Sequence, residues 1–302
     1  MTWRDDNVQE SSTQDIPGQH GDRRFRPAAW RRRRQLLWAA AAVAVIFGTL
    51  TPRLEGGAAA SAASRTTVAL YWLRGGVALG VSHRAIPATP RIGAATLQAL
   101  LGGPNRTERA AGLSSAVPSG SHLRSLSITD GVARADFDAR FASGGGSLSV
   151  IGRVDQVVYT LTQFPSVRRV LFLVNGKLAR TFTGEGLVLD RPVARSDERS
   201  LLPPIFVERP AVGDVVRSPL RLSGLANTFE ATFQVNLLDA GGRIVVRRTV
   251  HASAGTGTWG TYSQSLSFTK ARPGNGRLVV FERSAKDGRP IHVVRIPVRL
   301  AG

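Results

Sequence analysis

The chain contains no cysteine in 302 residues. That excludes a disulfide scaffold, a cysteine nucleophile, thiolate zinc, iron–sulfur clusters and a lipid-modified N-terminal Cys. Histidine is scarce, and His20, His83, His122, His251 and His292 are spread along the chain. No His-based metal cage is expected, and no cofactor or metal is assigned. Acidic residues are few, 21 against 40 Lys plus Arg, which leaves a formal charge of +19. Lysine is nearly absent, with three against 37 arginines. A GC-rich coding bias accounts for Arg over Lys but not for the shortage of acids. Apolar residues, at 42%, are enough for packed cores and too many for a wholly disordered chain. At roughly 100–200 residues per domain, the length has room for two domains and an N-terminal extension.

Residues 1–34 hold eight arginines and five acidic residues, whereas residues 53–302 hold 32 basic and 16 acidic ones. The excess therefore lies mainly in the downstream part and not in a tail. Such a balance favours anionic partners: nucleic acid, anionic lipid or anionic cell-wall polymer. The compartment has to choose among them.

Residues 1–22 are polar, without apolar period, and read as disordered. A basic run follows, Arg23, Arg24, Arg26 and Arg31–Arg34, so that 1–34 forms a disordered basic segment. It abuts an uncharged stretch from Leu36 to Leu50. As a helix, that stretch spans ~23 Å, short of a ~30 Å hydrocarbon core. Trp38 at the interface and snorkelling arginines extend it. We read 35–52 as a membrane anchor, with 1–34 in the cytoplasm by the positive-inside rule and the rest outside. The alternative is a cleaved export signal. Arg33-Arg34-Gln35-Leu36-Leu37 resembles a twin-arginine signal, and Ala60-Ser61-Ala62 is a candidate cleavage site. Both readings place the remainder outside the cytoplasmic membrane and argue against nucleic acid as partner. Residues 53–65, rich in Gly, Ala and Ser, read as a flexible linker.

Residues 66–190 read as an α+β unit. Thr66–Leu73 is β-branched and aromatic, a strand, and Val77–Val81 a second short one. Ala94–Leu101 reads as a helix stopped by Gly102-Gly103-Pro104. Leu123–Ile128 and Val132–Phe137 flank Asp130-Gly131, a hairpin signal. After Gly144-Gly145-Gly146, apolar residues at Val150, Ile151, Val154, Val157, Val158 and Leu161 define one helical face, with Gly152, Arg153, Asp155 and Gln156 mostly on the other. Arg169–Val174 is a largely apolar strand. The order predicts helices on a short mixed sheet.

Several of these segments carry a resemblance: Ala85-Ile86-Pro87, Leu100-Leu101-Gly102-Gly103-Pro104, Ala116–Gly120, Asp130–Ala133 with Asp136, and above all Val157-Val158-Tyr159-Thr160-Leu161-Thr162-Gln163-Phe164-Pro165. Together they resemble the GerMN domain of sporulation and spore germination. The resemblance implies a small α/β module of exported bacterial envelope proteins, and it brings no catalytic residues.

Residues 191–204 are polar, with Pro203-Pro204, and read as a linker. From 205 to 302 no helical period remains. Seven short alternating runs (205–207, 220–222, 232–238, 244–250, 262–268, 278–282 and 291–298) are separated by turn signals, among them Asp239–Gly242, Pro273–Gly276 and Asp287-Gly288. They predict an antiparallel β-sandwich of immunoglobulin-like size held by apolar packing alone. Val207-Glu208-Arg209-Pro210, Val216–Pro219, Leu222–Ala226, Phe229-Glu230 and Gly257–Gly260 resemble the immunoglobulin-like domain of bacterial spore-germination proteins.

Motifs that match chemistry by letter lack its context. Gly255–Gly260 spells a dinucleotide fingerprint but lies between strands, where no helix N-terminus meets a phosphate. Ser267-Phe268-Thr269-Lys270 spells an acylating pair that needs a helix start. Asn105-Arg106-Thr107 is a glycosylation sequon by letter. Asp136 and Asp138, two apart on a strand, are the carboxylates an envelope hydrolase would require. The primary expectation is a non-enzymatic extracytoplasmic protein that touches envelope proteins or wall. The alternative is a module that binds anionic wall polymer or lipid through Arg168, Arg169, Arg243, Arg247 and Arg248. Nothing in the sequence fixes the oligomeric state.

Overall fold

The structure is a computed structural model that describes residues 64–180, 182 and 188–302. The expected membrane or signal helix over 35–52, the basic segment 1–34 and nearly all of the linker 53–65 lie outside the described residues. Among the described residues, no helix is long and apolar enough to cross a membrane.

The first half opens with an antiparallel hairpin, β1 (Arg65–Arg74) and β2 (Ala78–Pro87), whose turn glycines Gly75 and Gly76 take φ of 58° and 77°. The second strand runs well past the predicted 77–81. After α1 (Ile92–Leu101) and the one-turn α2 (Arg106–Ala110), β3 (Leu113–Ser114) pairs with only the last two residues of β1. The predicted Asp130-Gly131 hairpin forms between β4 (Leu123–Thr129) and β5 (Val132–Phe137), with both turn residues at positive φ. The helix α3 (Ser147–Leu161) then carries the chain across, so that β6 (Arg169–Val174) lies parallel to β5, and β7 (Lys177–Leu178) closes a mixed sheet ordered β4-β5-β6-β7.

The second half contains β8 (Ile205–Arg209), β9 (Val215–Val216), β10 (Leu220–Ala226), β11 (Thr232–Leu238), β12 (Ile244–His251), β13 (Gly260–Leu266), β14 (Gly274–Arg283) and β15 (Pro290–Leu300). They form a three-stranded sheet, β13-β10-β8, and a five-stranded sheet, β12-β11-β14-β15-β9. Alternate residues of both, such as Leu220, Leu222, Phe233, Val235, Leu237, Val280 and Ile296, enter one apolar core, and the Phe233 and Tyr262 rings meet at 4.9 Å. All seven predicted runs are strands. The two-residue β9, parallel to the end of β15, is too short to leave a periodic signal.

Two local expectations need correction. Pro273–Gly276 is not a turn, because β14 begins at Gly274. A Cβ on Gly276 would lie 2.4 Å from the Leu238 carbonyl and 2.2 Å from a Leu300 methyl, so this glycine serves close strand approach. The other correction is that α3 has no solvated face. Arg153, Asp155, Gln156 and Thr160 are all buried. Arg153 donates to the Phe141 and Gly144 carbonyls, and for Gln156 and Thr160 the reason lies in β1. Because β3 covers only its end, the edge at Ala69 and Tyr71 has free backbone groups, and polar side chains of the helix and the turn after it supply the missing partners. Gln163 accepts from the Ala69 amide and donates to its carbonyl, both at 2.8 Å. Thr160 Oγ1 accepts from the Tyr71 amide at 3.3 Å, and Gln156 Nε2 donates to the Tyr71 carbonyl at 3.0 Å.

Candidate functional site

Residues 191–204 connect the two halves as an ordered strap. Val193, Leu201 and Leu202 are buried. The Val193 backbone bridges to Val170 of β6, and the Leu201 carbonyl accepts from the Leu79 amide of β2 at 2.7 Å. Just past β8, Val212 forms a parallel bridge beside Ser82 of β2, donating its amide to the Val81 carbonyl at 2.9 Å. Single backbone bridges thus tie the first half to the strap and to the second half. Tyr71, Leu73, Leu79, Val81 and Tyr159 share an apolar cluster with Leu201, Leu202, Phe206 and Ala211.

At the centre of this junction sits Arg195 of the strap. Its guanidinium lies 5.1 Å from the centroid of the Tyr71 ring and 4.8 Å from that of Tyr159, and the two rings are 5.4 Å apart. Nη1 donates to Glu208 Oε1 of β8 at 2.7 Å, Nε to Thr162 Oγ1 at 2.6 Å, and Nη2 to the Tyr159 carbonyl at 2.8 Å and the Tyr71 hydroxyl at 3.0 Å. The Tyr71 hydroxyl donates in turn to Glu208 Oε1 at 2.7 Å. A planar fork between two π-faces with a carboxylate at one end suits arginine specifically. Burial pushes the Tyr71 hydroxyl well above the usual tyrosine range, and it does the same to Tyr159. Both stay neutral and serve as hydrogen-bonding anchors. Burial works against the Arg195 charge, but Tyr71 and Glu208 outweigh it and hold the group cationic. The third and last tyrosine joins the same region: Tyr262 donates to the Phe206 carbonyl at 2.9 Å.

One turn before Tyr159 lies a buried carboxyl pair. No N–H or hydroxyl of the described residues donates to either oxygen of Asp155. Its charged neighbour is Glu198 of the strap. Burial first, and then the Glu198 charge, push the Asp155 carboxyl up to about 8. Burial raises Glu198 as well.

Beside the arginine a polar cleft of about 510 Å³ opens between the halves, lined by Thr67, Tyr71, Gln163, Arg195, Glu208 and Arg209 among others. It continues past His83 and Arg209 into a shallower hollow of about 290 Å³ that reaches Arg217 and Arg221. His83 Nδ1 lies 2.9 Å from Asp214 Oδ2, a further pairing across the junction.

The sequence-nominated arginines lie elsewhere, in two groups. Arg168 and Arg169 sit at the Asp130-Gly131 turn. Their amides donate to the Gly131 carbonyl, and Arg168 Nη2 donates to the Asp130 carbonyl at 2.7 Å. Arg243 pairs with Asp239 at 3.3 Å and bonds the Lys270 carbonyl. Arg247 and Arg248 are exposed on β12, an edge strand, with Arg248 Nη1 donating to the Arg247 carbonyl. No hydrogen bond or ion pair of the described residues joins the two groups.

The letter-matched motifs have structural occupations. Asp136 accepts from the Gly176 amide at 2.9 Å and pairs with Arg124. Asp138 caps a short 3-10 turn through the Phe141 amide and faces His122. The two carboxylates serve different elements. Gly255–Gly260 joins β12 to β13 without a helix. Ser267 follows the end of β13, and Lys270 takes a φ of 53°, so neither begins a helix. Asn105 forms a reciprocal cap with Glu108 at the start of α2. Among the described residues, no group of three His, Asp or Glu side chains is placed to hold a metal.

Sequence reasoning missed Arg195, Glu208 and Asp155 because their partners are remote in the chain. One signal was available: with only three tyrosines, each amphipathic ring was a candidate for a place where polar and apolar surface meet.

Two family models match successive parts of the chain. Residues 69–180 match the family described as sporulation and spore germination. Residues 204–289 match that described as the immunoglobulin-like domain of bacterial spore germination. Among solved structures, the tandem GerMN domains of the sporulation protein GerM from Bacillus subtilis are 16% identical, over 68% of this chain and 62% of that one, with a TM-score of 0.39. The first GerMN domain of the same protein is 22% identical, over 44% of this chain and 99% of that one, with a TM-score of 0.38. This chain therefore spans less than two thirds of the tandem-domain structure. No curated protein matches the sequence.

Proposed function

The chain carries a sporulation and spore germination (GerMN) domain followed by an immunoglobulin-like domain of bacterial spore germination, and from that premise we propose a non-enzymatic protein of the cell envelope. It is held at the cytoplasmic membrane by an anchor over 35–52, or exported after cleavage at Ala60-Ser61-Ala62, with both domains outside. There it makes contacts with envelope proteins or wall polymer. Its architecture is an α+β domain with helices on sheets, followed by a β-sandwich. One observation carries the reading. Tyr71, Tyr159, Arg195 and Glu208 spend their hydrogen bonds and charges on one another, fixing two domains in one orientation. Such a junction supports a rigid presenting scaffold.

The test is fractionation with N-terminal sequencing of the mature chain, combined with crosslinking of intact envelopes. The expected result is recovery from the envelope fraction, crosslinked to other envelope components. Recovery from cytosol alone would end the proposal. An intact N-terminus identifies the anchor, and a start near residue 63 identifies cleavage. The second reading, anionic polymer or lipid bound through Arg168, Arg169, Arg243, Arg247 and Arg248, draws support from the exposure of Arg247 and Arg248 and predicts binding that weakens steeply with added salt.

A further inference from the structure

The cleft at the domain junction holds an unusual distribution of charge. Its two acids are both engaged, Glu208 with Arg195 and Asp214 with His83. Three of its arginines are not. Arg209, Arg217 and Arg221 are exposed and make no side-chain hydrogen bond or ion pair with any described residue. Their placement follows from strand register. Arg209 of β8 is opposite Ser223 of β10, and Arg221 stands two residues before Ser223. The side chains of β10 alternate, with Leu220, Leu222 and Gly224 turned into the core and Arg221 outward. Arg209 and Arg221 are therefore diagonal neighbours on one sheet face, roughly 7–8 Å apart at the backbone. Arg217 approaches from the β9–β10 connection along the same hollow.

We propose that this junction cleft is a binding site for a linear polymer carrying repeated oxyanions on a polyol backbone, with Arg209, Arg217 and Arg221 taking successive oxyanions. Guanidinium forks match phosphate and carboxylate oxygens in bidentate geometry. The far end of the cleft offers the exposed Thr67 hydroxyl, a group suited to hydrogen-bond a polyol hydroxyl. A concave channel seats a chain better than a flat bilayer. The aromatic rings at the cleft are buried and occupied by Arg195, so no open ring is presented to stack a nucleobase. That favours a base-free polymer over single-stranded nucleic acid. The site deepens the contact function proposed above and depends on it only for the compartment. Binding in vitro tests the cleft, whereas fractionation tests the location.

The experiment measures binding of the full-length chain to poly(glycerol phosphate), to polygalacturonate and to oligothymidylate over a range of salt. A triple variant R209Q/R217Q/R221Q is compared with R91Q/R106Q/R134Q, which removes the same charge from exposed positions outside the cleft and outside the other arginine groups. Thermal melts establish that both variants fold. We expect the cleft variant to bind poly(glycerol phosphate) or polygalacturonate at least about tenfold more weakly and to lose about 2 from the slope of log affinity against log salt, roughly 0.7 per oxyanion contact. The control variant should change little. Phosphate over carboxylate, or the reverse, identifies which oxyanion the wall polymer carries. Equal loss in both variants would mean diffuse charge attraction and overturn the site, as would absence of binding to either polymer. Oligothymidylate binding tighter than both polymers would overturn the base-free assignment.

Discussion

Arg195 shows how one side chain can hold two domains. It closes a ring of contacts with Tyr71, Tyr159, Thr162 and Glu208, and its removal leaves a half-buried carboxylate without its cation. R195M is expected to cost about 2 kcal/mol, less than for a fully buried pair because both partners keep some solvent. R195K should fall between, since an ammonium keeps the charge but loses the fork. Calorimetric melting of the three proteins tests the order, and an R195M melt equal to the native one would refute it. The Asp155–Glu198 pair gives a pH signature. The native Asp155 carboxyl, raised to about 8 by burial, keeps a proton that the unfolded chain releases near 4. Its stabilising contribution is full below about pH 4 and is lost as pH rises toward 8. D155N, which cannot ionise and has an amide to donate to Glu198, should flatten this slope. Its melting temperature should exceed that of the native chain at pH 8 and converge with it at pH 5. A D155N profile parallel to the native one would show that the carboxyl is not protonated.

At the scale of elements, the α3 region works as an edge cover for β1. Gln163 satisfies both backbone groups of Ala69 at 2.8 Å. Q163A is expected to cost about 2 kcal/mol, within the range for partly buried groups left unpaired. Hydrogen exchange should speed up selectively at the Ala69 amide, and exchange unchanged there would remove the edge-cover account. In the second domain, G276A forces a methyl against the Leu238 carbonyl. It should cost about 1–3 kcal/mol, as overpacking in a tight core does, measured by denaturant unfolding. The Asp130-Gly131 hairpin, the seven strands of the second domain and the strand at 169–174 were legible because period and turn chemistry are local. The burial of Gln156, Thr160 and Asp155 was not, since a polar residue on a helix is ordinarily a solvated one. The incomplete pairing of β3 explains the exception for Gln156 and Thr160, and Asp155 lies beside Glu198 of the strap.

For the molecule as a whole, the strap 191–204 and the backbone bridges at Leu201 and Val212 make the domains cooperative. Calorimetry of the native chain should give one transition for both. Two resolved transitions would show that the junction is too weak to couple them. Proline-rich, polar composition had marked this stretch as a connector, and the sequence held no sign that it was docked. The five nominated arginines were found by density along the chain. The three that line the cleft fall within residues 209–221, and the pairing of β8 with β10 brings Arg209 beside Arg221.

The amino-acid order by itself determined most element types, the Asp130-Gly131 hairpin, the exclusion of thiol chemistry, and the family resemblance. All of these rest on local periodicity, composition or short motifs. Tertiary structure alone decided which polar groups are buried and which charges are free. Tyr71 and Glu208 stand 137 residues apart, and no pattern within a window records a partner at that distance. The free energy of a polar side chain depends on whether water or another residue answers it, and that is settled only when the sheets and the strap come together.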